Sequence, residues 1–553
     1  MTARALIAIG VGLALADASV VTLALPQILV DLDTTVEGVA AVLGVYTLVL
    51  AAALLPAEAV RRRVGSARLG PAGFALFAVA GIGCGAVDAL APLLILRAVQ
   101  ALGGAAGLVA GFALLTSGEP GRARLWTAAA ILGTAAGPAL GGALTELFDW
   151  RAIFLAQVPL GCLSAAACLA SPVAQAVESE PGPIAPRPRT IGLGPALALA
   201  LVSAALSGVL FLLVLLLVSG WSISPLAAAA AVTVLPAAAL VGMRIPGSPQ
   251  PRAIIGCGLV GAGVAALAFL TTASVAWTLL PQLLAGVGMG LALTSLVGPL
   301  IPERTPADTA FVLAIRHGGI TLALLLLAPI TAAQLDTVTA DTRERGAALV
   351  LDAELPPLGK LDLATAVTGE LDPVDPRETL SRSLDASRGE FADDPDEAAA
   401  FAELATRADE TLVAGIDDAF APAFLVAGGL ALLGALTVLP GASPPARRVA
   451  AGVVAAALAV SGAQVALIQA TGPEPVAIAD PCQDRDLPST GGLDGIAQDV
   501  ALDGLDRAAC EFGSSREELA IALVDDDAAA DYEREHGVDP RSIEDLLGAV
   551  VGL

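Results

Sequence analysis

Histidine, lysine and aromatic residues are nearly missing from this sequence. Among 553 residues there are two histidines (His317 and His536) and one lysine (Lys360), with 3% aromatic and 15% charged residues. An ordinary soluble domain carries about 25% charged residues. Two histidines leave almost no material for a histidine-based catalytic triad or an HExxH metal site. The six cysteines include no CxxC pair, so a metal centre is not expected either. No GxxxxGK[ST] run occurs, which removes a phosphate-binding loop and ATP-driven chemistry. No basic face is available to neutralise phosphates, so nucleic acid is excluded as a partner. Neither an enzyme nor a bound cofactor is implied. What is present is apolar: 56% of the chain is hydrophobic, more than soluble domains can bury, so the excess must face lipid.

A bilayer core of about 30 Å needs roughly 20 apolar residues per helix. Such runs recur near 5–30, 38–56, 69–87, 90–115, 125–147, 152–170, 193–218, 224–243, 253–272, 276–300, 309–333, 420–440 and 449–470. The expected fold is therefore an all-α polytopic membrane protein with about thirteen spans. Residues 1–170 form one six-helix bundle and 171–190 a Pro-rich cytoplasmic linker. Residues 191–440 form a second six-helix bundle carrying an acidic insertion at 334–420. An additional span occupies 441–470, and an acidic helical tail 471–553. Ala14-Leu15-Ala16 imitates a signal cleavage site, but the apolar run continues well past it, so the first span is read as retained.

Charge placement sets the orientation. The insertion has 21 acidic and 7 basic residues and the tail 20 and 5, which leaves a slightly basic membrane body within a chain of net charge −25. With the N-terminus inside, 14 of the 17 arginines of that body fall on the cytoplasmic side, as the positive-inside rule requires. The C-terminus and both acidic segments are then extracytoplasmic, on a multi-pass protein of the cell membrane. Asp375-Pro376, Asp394-Pro395 and Asp539-Pro540 read as helix starts. Phe401, Leu404, Ala408, Leu412 and Ile416 mark one apolar face leading into the twelfth span. In the tail, Leu493, Ile496, Val500 and Leu505 mark another, and Ile543, Leu546, Leu547, Val550 and Val551 a third. Cys84, Cys162, Cys168 and Cys257 sit in spans as packing residues. Cys482 and Cys510 lie in the external, oxidising tail and are expected to form a disulfide.

Ionisable residues at membrane depth are costly and usually tied to function. Asp17 is near the middle of span 1, Arg97 lies in span 4, and Arg316 and His317 lie in span 11. Around them the sequence begins to resemble a family. Gly133-Thr134-Ala135-Ala136-Gly137-Pro138, ending in Gly141-Gly142, resembles the GxxxGPxxGG antiporter motif of span 5 in the major facilitator superfamily. Trp150-Arg151-Ala152-Ile153-Phe154 and Gln157-Val158-Pro159-Leu160-Gly161 are similar to the sequence that enters span 6. Asp17 through Pro26 resembles the LDxTIVNVALP signature of the drug:H+ antiporters. Arg97-Ala98-Val99-Gln100-Ala101-Leu102-Gly103 resembles RxxQGxG, with alanine for one glycine, and Arg316-His317-Gly318-Gly319 the RQxGG element of span 11. The loop after span 2 departs from the pattern. Arg63 and Gly65 match, but Arg62 replaces the gating aspartate and Glu58 the first glycine.

The resemblance implies two repeats around a midplane cavity that opens alternately to each side. It also implies proton-coupled export of small lipophilic or cationic compounds. Asp17 would carry the proton and Arg97 would tune it. Gly133, Gly137, Pro138, Gly141 and Gly142 would shape the moving helix, and Arg63 and Gly65 the inner gate. Gln100, Arg316 and His317 are the cavity candidates. Partners are then a small-molecule substrate, protons and the lipid bilayer, while the acidic segments offer a surface to an extracytoplasmic protein. Two alternatives stay open: an exporter of an endogenous metabolite or lipid precursor by the same mechanism, and a non-transporting sensor or partner on the same fold.

Overall fold

The structure, a computed structural model, describes residues 2–116, 123–171, 192–300, 305–368, 375–483, 485, 487–488 and 492–542. Helix is the dominant element, and no strand occurs among the described residues. The first half runs α1 (Ala3–Thr22), α2 (Leu25–Asp31), α3 (Val36–Val64), α4 (Ser66–Cys84), α5 (Leu90–Thr116), α6 (Ala123–Leu147) and α7 (Trp150–Leu169). The second runs α8 (Leu193–Leu215), α9 (Pro225–Val232), α10 (Val234–Gly242), α11 (Pro249–Ala266), α12 (Val275–Leu300) and α13 (Pro306–Asp352). After these come α14 (Pro357–Thr368), α15 (Pro376–Ser387), α16 (Pro395–Val438), α17 (Pro444–Thr471), α18 (Gly492–Phe512), α19 (Arg516–Val524) and α20 (Asp526–His536). Twelve described helical stretches are long and apolar enough to cross a membrane. The remaining expected span, 125–147, falls on the 25-residue α6. This is a multi-pass membrane protein. The Pro-rich segment 172–190 and the apolar stripe from Ile543 to Val551 lie outside the described residues.

Local chemistry starts these helices. Thr35, Asp149, Asp375 and Asp394 cap their helices with side-chain oxygens that accept from free backbone N–H groups. Thr305 and Asp308 cap α13 reciprocally. The expected span 5–30 is two helices, because the chain turns at Leu23–Ala24 and Pro26 opens α2 without a backbone donor. Helices α13 and α16, at 47 and 44 residues, run to about 65–70 Å at 1.5 Å per residue. That is about twice the thickness of the hydrocarbon core, so both project well beyond it.

Their projecting ends carry a cap. Phe401, Leu404, Ala408, Leu412 and Ile416 of α16 are all buried, so this face packs as the periodicity predicts. Helix α15 is bolted to the turn between α8 and α9. Arg377 pairs with Asp409 and donates to the Trp221 carbonyl at 3.2 Å. Ser222, at φ +56°, donates to Asp375, and the buried Trp221 indole donates to Asp417 Oδ1 at 2.9 Å. The tail forms its own small core from Ala508, Ala509, Leu519, Ala522 and Tyr532, and Cys482 is bonded to Cys510. Here one expectation fails: Ile496 and Val500 are 62% and 68% exposed. Helix α18 instead buries Leu502, Ala508 and Ala509, because the disulfide and the Arg485–Asp506 ion pair fix its rotation.

Candidate functional site

Two clusters of polar groups lie within the spans. The first holds Asp17 and Arg97, both 0% exposed, with Asp17 Oδ2 2.7 Å from Arg97 Nη2. Arg97 also donates to Gln100 Oε1 at 2.8 Å and to the Val42 carbonyl at 3.3 Å. Its guanidinium lies 4.3 Å from the centroid of the Tyr46 ring, a geometry that adds cation–π attraction. Tyr46 donates to the Ala14 carbonyl, and Gln100 donates to Gln157 Oε1. Helices α1, α3, α5 and α7 are thus tied together around one buried ion pair. Asp17 Oδ1 has no hydrogen-bond partner among the described residues.

The second cluster lines a central cavity of about 70 Å³ between the two halves. Ser19 and Thr22 of α1, Pro138 of α6, Ser203 and Ser207 of α8, and Arg316 and His317 of α13 face it. His317 Nδ1 donates to the Leu313 carbonyl at 2.8 Å. A carbonyl can only accept, so Nε2 is the basic nitrogen of the neutral ring. Across the halves, Thr47 and Thr321 hydroxyls meet at 3.0 Å.

Asp17 is absent from the cavity wall, and the reason is helical geometry. At 100° per residue, Leu15, Ala18, Ser19 and Thr22 form one stripe, and that stripe lines the cavity. Asp17 falls on the opposite side and points into the first bundle. Gln100, expected at the cavity, follows the same logic. It shares a face of α5 with Arg97 and is buried in that network. Of the three cavity candidates, the structure places Arg316 and His317 on the wall.

The glycines of α6 make close helix contacts. A Cβ on Gly133 would collide with the Gly12 carbonyl, one on Gly137 with Ser19 Oγ, and one on Gly141 with the Val20 carbonyl. The face of α6 at four-residue spacing is therefore pressed backbone to backbone against α1. Gly142 faces the other way, with Ala229 and the Pro225 carbonyl at the start of α9. It joins the two halves at the cap end of the bundle.

At the opposite end Gly65 links α3 to α4 at φ +83°, which glycine alone adopts without strain. Arg63 is exposed, with no ion pair among the described residues. The arginine that engages is Arg61. It forms a paired contact with the buried Glu58 at 2.7 and 2.9 Å and reaches Ser66 Oγ at 3.4 Å. Sequence reasoning noted Glu58 only as a departure from the pattern. Its three-residue spacing from Arg61 was the available signal. Sequence also gave no reason to group Glu518, Glu535 and His536, whose ligand atoms lie within 4.8 Å of one another in the cap.

The sequence profile of the Major Facilitator Superfamily matches residues 7–335, more than half of the chain. The chain belongs to that superfamily. The chain is 36% identical over 166 residues to the multidrug resistance protein Stp of Mycobacterium tuberculosis. It is 34% identical over 161 residues to the drug efflux pump JefA of the same organism. The tetracenomycin C resistance and export protein of Streptomyces glaucescens is 31% identical over 160 residues. These alignments cover 28–29% of this chain and 30–32% of the relatives' own length. Among solved structures, a bacterial homolog of the human lysosomal transporter Spinster, in an inward-facing and unoccupied conformation, has a similar fold. Its TM-score is 0.51 at 18% identity, covering 80% of this chain and 98% of that one. Members of this superfamily are membrane transporters and not enzymes.

Proposed function

We propose that the chain is a proton-coupled exporter of small lipophilic compounds. Its N-terminus would be cytoplasmic, its linker 171–190 cytoplasmic, and its acidic insertion and tail extracytoplasmic. The observation that carries the proposal is the fully buried Asp17–Arg97 pair. The two charges sit on separate helices, so modest rearrangement of α1 against α5 can part them and leave the Asp17 carboxyl to be neutralised by a proton in place of Arg97. Because α1 presents Asp17 on one side and the cavity stripe on the other, rotation or tilt of this helix links protonation to the substrate path. The glycine face of α6 against α1 leaves no α6 side chain to obstruct such sliding. Two of the relatives, a multidrug resistance protein and a drug efflux pump, fit the reading. The test is efflux from proteoliposomes with an imposed pH difference. Asp17→Asn is expected to abolish uphill export while the protein still folds and inserts. Uphill export equal to the parent would place the proton site elsewhere.

A further inference from the structure

We propose that the central cavity selects amphipathic organic anions, with Arg316 as the counter-charge and Ser203 as a second donor. The inference rests on the reading that this cavity is the substrate site. Arg316 is the sole fixed charge among the residues that line the cavity. The residue is half-buried, and no acidic side chain among the described residues lies within ion-pairing distance of it. The acid on the adjoining helix, Asp17, points away and is engaged by Arg97.

A cation at membrane depth without a partner is costly, and an anionic ligand would supply the missing charge. Ser203 is an independent observation. It lines the same cavity, is 3% exposed, and its hydroxyl has no hydrogen-bond partner among the described residues. The hydroxyls of Ser19 and Thr22 already donate to carbonyls of their own helix, so they are not spare donors. The remaining wall is apolar, with Leu206, Leu210, Met289 and Leu293 among its members. A compact carboxylate or sulfonate on an apolar body matches this surface. A cation would meet Arg316 with no carboxylate to offset it.

Two probes that share a fluorophore and differ in charge provide the test: dansylglycine, a carboxylate, and dansylethylenediamine, an ammonium. Binding to the purified full-length protein is read by fluorescence anisotropy. The parent is expected to prefer dansylglycine, and Arg316→Gln to weaken it about 10–100-fold, the range for one charge-assisted contact. Arg316→Lys should restore most of the affinity, and Ser203→Ala should cost less than Arg316→Gln. The melting temperature of each variant reports on folding. Equal or tighter binding of dansylethylenediamine by the parent would overturn the proposal. So would dansylglycine binding that ignores Arg316→Gln, or no binding of either probe. Counterflow in proteoliposomes separates the two readings. Dansylglycine that binds through Arg316 but is not carried would sink the transport reading alone. Carriage of the ammonium probe only would sink this one.

Discussion

Arg97 and Arg516 are both 0% exposed, and each meets an aspartate oxygen, at 2.7 and 2.6 Å. Their surroundings have little in common. Arg97 sits among apolar and aromatic groups with one acid. Arg516 sits in the cap with Asp352, Glu517 and Asp506 around it, and Arg485 bridges the last two. A charge inside an apolar run is conspicuous in the sequence, because nothing else there accounts for it. A charge in a segment with 20 acidic and 5 basic residues is not. The two also differ in what they hold. Arg97 ties helices within one bundle. Arg516 clamps the last residue of α13, the helix whose other end carries Arg316 and His317. Lys360 joins it there, donating to the Leu351 carbonyl at 2.7 Å. Two cations thus close the C-terminal end of a 47-residue helix, where its dipole favours positive charge.

The sharpest break in the comparison is removal of each arginine. Arg97→Met leaves the Asp17 carboxyl with no partner in a dry bundle, and such losses cost about 3–5 kcal/mol. The double variant Asp17→Asn, Arg97→Met should recover most of this, since replacing both members of a buried pair is often neutral. Thermal unfolding of the purified protein measures both. A single variant as stable as the parent would mean that the pair is solvated.

Arg516→Met should cost less, about 1–3 kcal/mol. Asp352 is half-exposed and screened by water, and Arg485 remains beside Glu517 and Asp506. The effect should also be local. Hydrogen exchange should speed up across 492–536 and leave 3–116 unchanged. Equal acceleration in both regions would show that the cap and the bundle unfold as one unit.

The same contrast explains how much was legible. Spans were readable because a run of apolar residues has few other uses, and each expected span falls on helix, 5–30 and 224–243 on two consecutive helices each. The Asp17–Arg97 pair was readable because both charges stand alone. The side of α1 that faces the cavity was not, because it depends on how α1 packs between α5 and α6. Hydrophobicity in span 1 is nearly uniform and marks no direction. In the cap the stripe from Phe401 to Ile416 was readable because a single apolar face runs along a polar helix. Ile496 and Val500 misled because α18 is held by a disulfide and by Arg485, constraints that periodicity does not encode. Glu58 and Arg61 were not legible as a pair, since the family pattern in this loop falls on Arg62, Arg63 and Gly65 and assigns Arg61 no role.

The smallest effect expected concerns the other cation on α13. Burial holds the Lys360 ammonium down from its usual 10.5 to about 8, and repulsion by Arg516 adds to this while Asp352 opposes it. Below about pH 8 the lysine is charged in both folded and unfolded chains, so stability does not depend on pH through this group. Between about pH 8 and 10.5 the unfolded chain holds a proton that the folded one has released, so stability rises with pH across that window. Tyr532 acts in the opposite sense. Burial raises its hydroxyl above the usual 10, so the unfolded chain ionises first and stability falls at the alkaline end. Lys360→Met leaves the Tyr532 contribution in place and removes the lysine's. The difference in melting temperature between parent and variant should therefore move in the parent's favour as pH rises from about 8 to 10. A difference that stays constant over that range would mean that Lys360 is solvated and that Arg516 alone closes the end of α13.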